Sequence, residues 1–486
     1  MEGNLKKNTI KGFKWTALNT LFNALSAPIY QIFLALLLIP EEFAYIAVIS
    51  LVIGLSILMS NVGIGEAVIQ KDKINSKQIS TLIYLNGIIT IIIAGLFYLG
   101  APYIEKFYKL QNMQTILRLL VITIVFNGIS SIFRVYLQRN ILFKEYSLAQ
   151  IVKTITDIII SVILILLGFG IMGYVYGTIV STILYAFLLI IFTFKKTDIK
   201  ILFHFNIKEA IPFINFGLSI SLKKILTFFS QRMDEVIIGG ILTPEILGIY
   251  YFGKRLILQL QSVITNSFSQ VLFPVFSKMK NNLIRLKNAY MTVSYGAAMI
   301  GFPIFVGITV TAHLVIPLAF GERWIEAVDV VRILSLVMIF QVLTANIATS
   351  ILYSINKPNL VLFIDIVTVV IYFISLFLLS NGGLYIIITL YSMYTIIKAT
   401  ILQFSVSREV KFKFTYYILQ FKNVIISTVL MAIIVLFIQN YILFSFPELI
   451  QLISSILTGI LIYVGMQYLI DQRNLKVFIF TFFRNR

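Results

Sequence analysis

The sequence predicts an all-α polytopic membrane protein of about fourteen transmembrane helices. Three observations predict it. The 486-residue chain is 59% hydrophobic and only 12% charged, with a mean hydropathy of +0.96. Apolar runs of 18 or more residues recur from end to end, and each is long enough to cross a hydrocarbon core. These runs do not alternate apolar with polar residues, which disfavours a transmembrane barrel.

In chain order, Met1 to Lys14 carries Lys6, Lys7, Lys11 and Lys14, a pattern expected of a cytoplasmic N-terminus. Spans follow near 15–38, 43–69, 79–101, 115–138, 147–168, 172–194, 210–241, 246–273, 288–317, 328–353, 359–380, 384–406, 423–442 and 449–470. The first is too long for the apolar core of a signal peptide, so Ala24-Leu25-Ser26 is a poor cleavage site. The seventh and eighth are separated at Thr243-Pro244-Glu245 and Leu247-Gly248.

Loop charges justify the order. The even-numbered connections carry Lys71, Lys73 and Lys77; Arg139 and Lys144; Lys195, Lys196, Lys200 and Lys208; Lys278, Lys280, Arg285 and Lys287; Lys357; then Arg408, Lys411 and Lys413. The tail adds Arg473, Lys476, Arg484 and Arg486. The other connections offer Lys106, Lys109 and Arg323, offset by Glu105, Glu322 and Glu326. The positive-inside rule therefore places both ends in the cytoplasm. This distribution also explains the net charge of +19 without nucleic acid as a partner. The absence of Cys removes disulfide and thiolate chemistry, and His204 and His313 lie too far apart in sequence to form a metal cluster.

The chain contains an internal repeat. Leu38-Ile39-Pro40-Glu41, with Ala44 and Tyr45 after it, resembles Leu242-Thr243-Pro244-Glu245 followed by Gly248, Ile249 and Tyr250. The offset from Pro40 to Pro244 is 204 residues. The same offset sets Asn19, Asn23, Ser26 and Tyr30 against Lys223, Thr227, Ser230 and Asp234. Both sets step by four, three and four residues, which is one helical face. Such polar stripes serve either as glue between helices or as the lining of a lumen. Two six-helix lobes related by a parallel pseudo-twofold, with a site between them, form a transporter plan. It divides the chain into 1–200, 201–410 and a segment 411–486 with two further helices and a basic tail.

Charges within the spans mark the expected site. A charge near the bilayer centre costs about 2.5–3.5 kcal/mol on insertion scales, so it turns towards water or a partner. The seventh span carries Lys223, Lys224, Arg232, Asp234 and Glu235. The eighth presents Tyr251, Arg255, Gln259, Ser262, Asn266 and Gln270 at helical spacing, beside Lys254. The fifth adds Lys153 and Asp157, and Asp365 and Lys398 belong to the eleventh and twelfth. Bases outnumber acids, so a wet cavity here favours an anion such as a diphosphate, which Arg grips bidentately. Lys223, Lys224, Arg232, Arg255, Lys153, Asn19, Asn23 and Gln259 are the expected substrate-binding residues. Asp157, Asp234, Glu235 and Asp365 are candidates for carrying a coupling proton or sodium ion.

Structural alternatives stand beside this reading. Lys153 and Asp157 can neutralise each other at i, i+4, and Asp365 and Lys398 can pair between neighbouring helices. Arg232 with Asp234 or Glu235 can lock an interface, and Lys254 can snorkel outward. Lys223 and Lys224 have no obvious local acid, and Glu66 reads as an interfacial residue beside Lys71. No Gly-rich loop ending in Gly-Lys-Ser/Thr occurs, so ATP hydrolysis by this chain is not expected.

Several stretches carry a family resemblance. Leu137-Gln138-Arg139-Asn140-Ile141-Leu142-Phe143-Lys144 resembles the Leu-Gln-Arg-x-x-x-Phe-Arg/Lys signature of polysaccharide flippases of the Wzx/TuaB type. Lys6-Lys7 to Gly12-Phe13-Lys14-Trp15, Gly65-Glu66-Ala67-Val68-Ile69-Gln70-Lys71, Ala101-Pro102 with Phe107-Tyr108, and Phe320-Gly321-Glu322-Arg323-Trp324 are similar too. The resemblance covers most of the chain and implies a bacterial cytoplasmic-membrane protein of the multidrug/oligosaccharidyl-lipid/polysaccharide exporter superfamily. It implies two six-helix bundles in a V, an undecaprenyl-diphosphate-linked oligosaccharide as cargo, membrane lipids as surroundings, and a polysaccharide polymerase of the same pathway as a partner. Lipid II flippases of that superfamily carry an Arg-Asp pair in the first helix, where this chain has Asn19 and Asn23. Cell-wall precursor is thereby disfavoured. The rival readings are a cation-coupled drug antiporter, which the basic residues oppose, and a membrane-bound polymerase or ligase. Such an enzyme needs a sizeable outer loop, whereas Glu322-Arg323-Trp324 is the richest here; transport, not catalysis, is expected.

Overall fold

The computed structural model describes residues 2–61, 63–71 and 74–472, save the side chains of 2–11, 13, 219–220, 266–274 and 345–346. The expected roles of Lys73 and the basic tail from Arg473 onward, of the Lys6, Lys7 and Lys11 side chains, and of the Asn266 and Gln270 side chains lie outside the described residues. Among the described residues, regular structure is helical throughout and no strand occurs. The fold is the expected all-α membrane architecture. Eleven helices are long and apolar enough to cross a membrane, or twelve if the bent pair Ile207–Leu218 and Ser221–Ile241 is one span. Two other segments match the remaining expected spans: Pro244–Met279, and Ala327–Leu343 continued through Thr344–Ala348 to Ser354.

The chain divides into two compact units, Met1–Gly248 and Ile249–Arg486. The first holds α1 (Glu2–Leu37), α2 (Pro40–Asn61), α3 (Ile64–Gln70), α4 (Ser76–Tyr108), α5 (Met113–Arg139), α6 (Phe143–Leu164), α7 (Ile171–Lys196) and α8 (Ile207–Ile241). Pro40 starts α2 because the first helical position needs no amide donor, and Glu41 and Glu42 favour the positive end of the helix dipole. Asn75 starts α4 with a full capping box, its side chain accepting from the Gln78 amide at 2.8 Å. In this unit α1 packs on α6, α6 on α7, α4 and α7 on α5, and α8 on α2, α3 and α4. Ile64, Val68, Leu82, Ile132, Val135 and Phe213 close a core where α3, α4, α5 and α8 meet.

The expected second span, 43–69, is broken. Gly63 adopts φ +65° between α2 and α3, a left-handed conformation that a side chain resists. It is also crowded: a Cβ there would sit 2.2 Å from the Gly217 carbonyl oxygen of α8. Two glycines thus let two backbones approach at a point where α2 ends and α8 begins to bend. The repeated Pro-Glu motifs meet as well. A Cβ on Gly248 would lie 1.7 Å from the Pro40 carbonyl oxygen, so this copy of the motif requires glycine where the first has Ala44.

The second unit begins within α9 (Pro244–Met279), whose Pro and Glu245, still in the first unit, open the helix as Pro40 and Glu41 open α2. It continues through α10 (Leu283–Phe320), α11 (Ala327–Leu343), α12 (Thr349–Ser354), α13 (Pro358–Leu379), α14 (Leu384–Glu409), α15 (Phe414–Leu419), α16 (Lys422–Phe437) and α17 (Glu448–Ile470). Here α10 packs on α11, α16 and α17, and α14 packs on α11 and α13. Trp324 is fully buried, its ring 4.1 Å from that of Phe252. Tyr463 donates to the Met299 carbonyl at 2.9 Å, fixing α17 to α10. Long apolar side chains such as Phe377 and Leu461 remain largely exposed, as a lipid-facing surface requires.

Candidate functional site

Polar side chains on apolar helices must find partners, and α8 finds them on α2 and α3. Lys224 forms an ion pair with Glu66 of α3. Arg232 Nη1 donates to Glu235 Oε2 at 2.7 Å, one turn along its own helix, and to Ser50 Oγ of α2 at 3.3 Å. Glu235 is 3% exposed and Asp234 is fully buried, so these carboxylates require nearby compensation; Arg232 supplies it for Glu235. Lys223 is half-buried, and its carbonyl accepts from Thr227 Oγ1 at 2.9 Å. Lys223, Thr227, Ser230 and Asp234 thus remain one stripe, now on a helix packed within the first unit.

Glu66 has a partner that the sequence did not point to. Its partner is Lys224, and the Lys71 ammonium lies 4.4 Å from the centre of the Phe213 ring. The acid that Lys224 lacked locally comes from 158 residues away in sequence, which local spacing does not reveal. Burial pulls the Glu66 carboxyl upward, and the Lys224 hydrogen bond and charge outweigh it, so Glu66 titrates below its ordinary value. Arg139, from the Leu-Gln-Arg stretch, closes the same small helix by donating to the carbonyls of Val68 and Lys71.

The stripe on α1 is bonded differently. Asn19 Nδ2 donates to Gln150 Oε1 of α6 at 3.2 Å, Asn23 Nδ2 to Asn19 Oδ1 at 2.8 Å, and Thr154 Oγ1 to Asn23 Oδ1 at 3.1 Å. These bonds join α1 to α6. Also on α6, the Lys153 ammonium lies 5.3 Å from the centre of the Tyr185 ring. Asp157 accepts from Ser161 and from Thr178 of α7, each at 3.4 Å.

In the second unit, Arg255 Nη1 donates to Tyr251 Oη at 3.1 Å, one turn back on α9, and Gln259 lies half-buried on the same helix. The Lys398 ammonium pairs with Asp365 at 2.9 Å across α14 and α13. Lys254 does not snorkel outward. It is 1% exposed, its ammonium 5.6 Å from the Tyr250 ring centre and 5.0 Å from that of Tyr391. Tyr372 stacks on Tyr394 at 4.6 Å beside them. This tyrosine-rich site was not foreseen, although Tyr250 and Lys254, and Tyr391, Tyr394 and Lys398, stand at helical steps in the sequence. No group of three or more potential metal ligands occurs among the described residues.

Comparison with known proteins supplies the family. The model of a family described as polysaccharide biosynthesis protein matches residues 33–329. Teichuronic acid biosynthesis protein TuaB of Bacillus subtilis is 23% identical over 436 residues, 89% of each chain. Lipopolysaccharide biosynthesis protein WzxC of Escherichia coli is 22% identical over 338 residues, 69% of this chain and 68% of that one. Among solved structures, the inward closed conformation of the lipid II flippase MurJ shares the fold with a TM-score of 0.77. It is 15% identical and covers 94% of this chain and all of its own. An inward-facing MATE-family multidrug resistance transporter shares it at 0.59 and 16% identity, over 81% of this chain and 94% of its own. The chain belongs to the polysaccharide biosynthesis protein family.

Proposed function

From membership in that family, we propose that the protein is a flippase for undecaprenyl-diphosphate-linked oligosaccharide units. It moves them across the bacterial cytoplasmic membrane by alternating access between two lobes, 1–200 and 201–410, through a cationic central cavity. Both termini are cytoplasmic, and a polymerase of the same pathway receives the cargo. The observation that carries this reading is the family match over 33–329, a stretch that contains Lys223, Lys224, Arg232 and Arg255. These four would hold the diphosphate and acidic sugars while the prenyl tail stays in lipid. Lys153, Asn19, Asn23 and Gln259 would meet the remaining polar groups. Asp157, Asp234, Glu235 and Asp365 are the carboxylates available to a coupling proton or sodium ion.

Vesicles reconstituted with the full chain test the proposal. A labelled prenyl-diphosphate oligosaccharide should change leaflets, and Lys223→Ala/Lys224→Ala should slow transfer by more than about tenfold, since hydrogen bonds to charged groups contribute about 1.5–3 kcal/mol each. Glu66→Gln separates loss of the Lys224 partner from loss of the lysine itself. Unchanged transfer in the double variant would remove both lysines from the mechanism.

A further inference from the structure

We infer that the corner made by the end of α14, by α15 and by the start of α16 holds one anionic phospholipid, independently of the cargo. A cavity of about 400 Å³ opens there, with Phe302, Phe340, Leu343, Phe421, Ile425 and Val429 among its walls. Its rim is basic. The wall residues Phe414 and Phe421 are each adjoined by an exposed lysine, Lys413 and Lys422. A third, Lys287 of α10, reaches α15, its ammonium 5.2 Å from the Tyr416 ring centre. The nearby carboxylate Glu409 is already paired with Lys357 at 3.1 Å.

A second cavity provides an internal contrast. It is of similar size, about 390 Å³, and is lined by Pro303, Met431, Gly459 and Tyr463 among others of α10, α16 and α17. None of its lining residues, nor any immediate neighbour of one in sequence, is Lys or Arg. Apolar volume alone is therefore common to both, and flanking lysines belong to one. In a bilayer an acyl chain is already out of water, so a cavity offers it shape rather than hydrophobic free energy. The choice between lipids falls to the headgroup, where each nearby lysine favours an anion. The aromatic residues of the six-residue α15 suit the same interfacial depth.

Native mass spectrometry of the purified full chain, offered equal amounts of phosphatidylglycerol and phosphatidylcholine with identical chains, tests the site. Wild type should retain phosphatidylglycerol preferentially. Lys413→Ala/Lys422→Ala should lower that retention by about fivefold or more, and Lys413→Arg/Lys422→Arg should keep it. Val429→Trp, which fills this cavity, should lower retention, and Met431→Trp, in the other cavity, should not. Unchanged preference in the alanine variant, loss in the arginine variant, or displacement of the lipid by glycerol phosphate alone would each overturn the inference.

Discussion

In α1 the polar stripe is neutral and bonds to α6 through Asn19 and Asn23; in α8 the matching stripe is charged, and its helix is partnered by Glu66 and Ser50 of α3 and α2. The two stripes occupy equivalent positions in a repeat of 204 residues, yet they meet different surroundings. Position in a repeat fixes which face of a helix is polar. It does not fix what that face meets, because the partners come from other helices. The neutral stripe on α1 is tied down by hydrogen bonds alone, whereas α8 also carries ion pairs, Lys224 with Glu66 and Arg232 with Glu235.

The largest difference between the two helices should appear at Arg232, which lies off the stripe on α8. Removing its guanidinium from a carboxylate that is 3% exposed should cost about 3 kcal/mol of stability. The unfolding midpoint of Arg232→Ala in detergent measures this, and Arg232→Ala/Glu235→Gln should recover most of the loss. A double variant as unstable as the single one would break the contrast. On the neutral side, Asn23→Leu should cost only about 0.6 kcal/mol, the average for a hydrogen bond between membrane helices. A larger loss would show the α1 stripe to be as demanding as that of α8.

The smallest effect should be at Glu66. Its folded value lies below the unfolded one, so the pair with Lys224 contributes its full stabilisation above the unfolded value. That contribution disappears as pH falls through the folded value. Both side chains are over a third exposed, so solvent screening limits it to a few tenths of a kcal/mol. Wild type should be slightly more stable than Glu66→Gln at neutral pH, and the gap should close on acidification.

The helices were legible because apolar length is a local signal, whereas α2 and α9 start at Pro40 and Pro244, a few residues before the expected 43 and 246. The interruption at Gly63 was less so, since an apolar run continues through it and the backbone of α8 determines why glycine is needed. At the site, the charges on α8 could be named from sequence, and the i, i+3 pairing of Arg232 with Glu235 was within reach. The Glu66–Lys224 pair was not, because its members lie on α3 and α8. For Lys254 outward snorkelling stood as an alternative to a buried place, and local spacing could not decide, because one of its aromatic partners, Tyr391, comes from α14, more than a hundred residues away.

The guanidinium of Arg139 has a consequence for how such sequences are read. It joins Leu137–Lys144 to Gly65–Lys71, two of the stretches that carry the family likeness, through the carbonyls of Val68 and Lys71. A signature of this kind reports how a short helix is fastened shut and carries no information about a ligand. The acceptors are main-chain carbonyls, which any residue supplies, so the fastening depends on Arg139 and on the backbone course of α3.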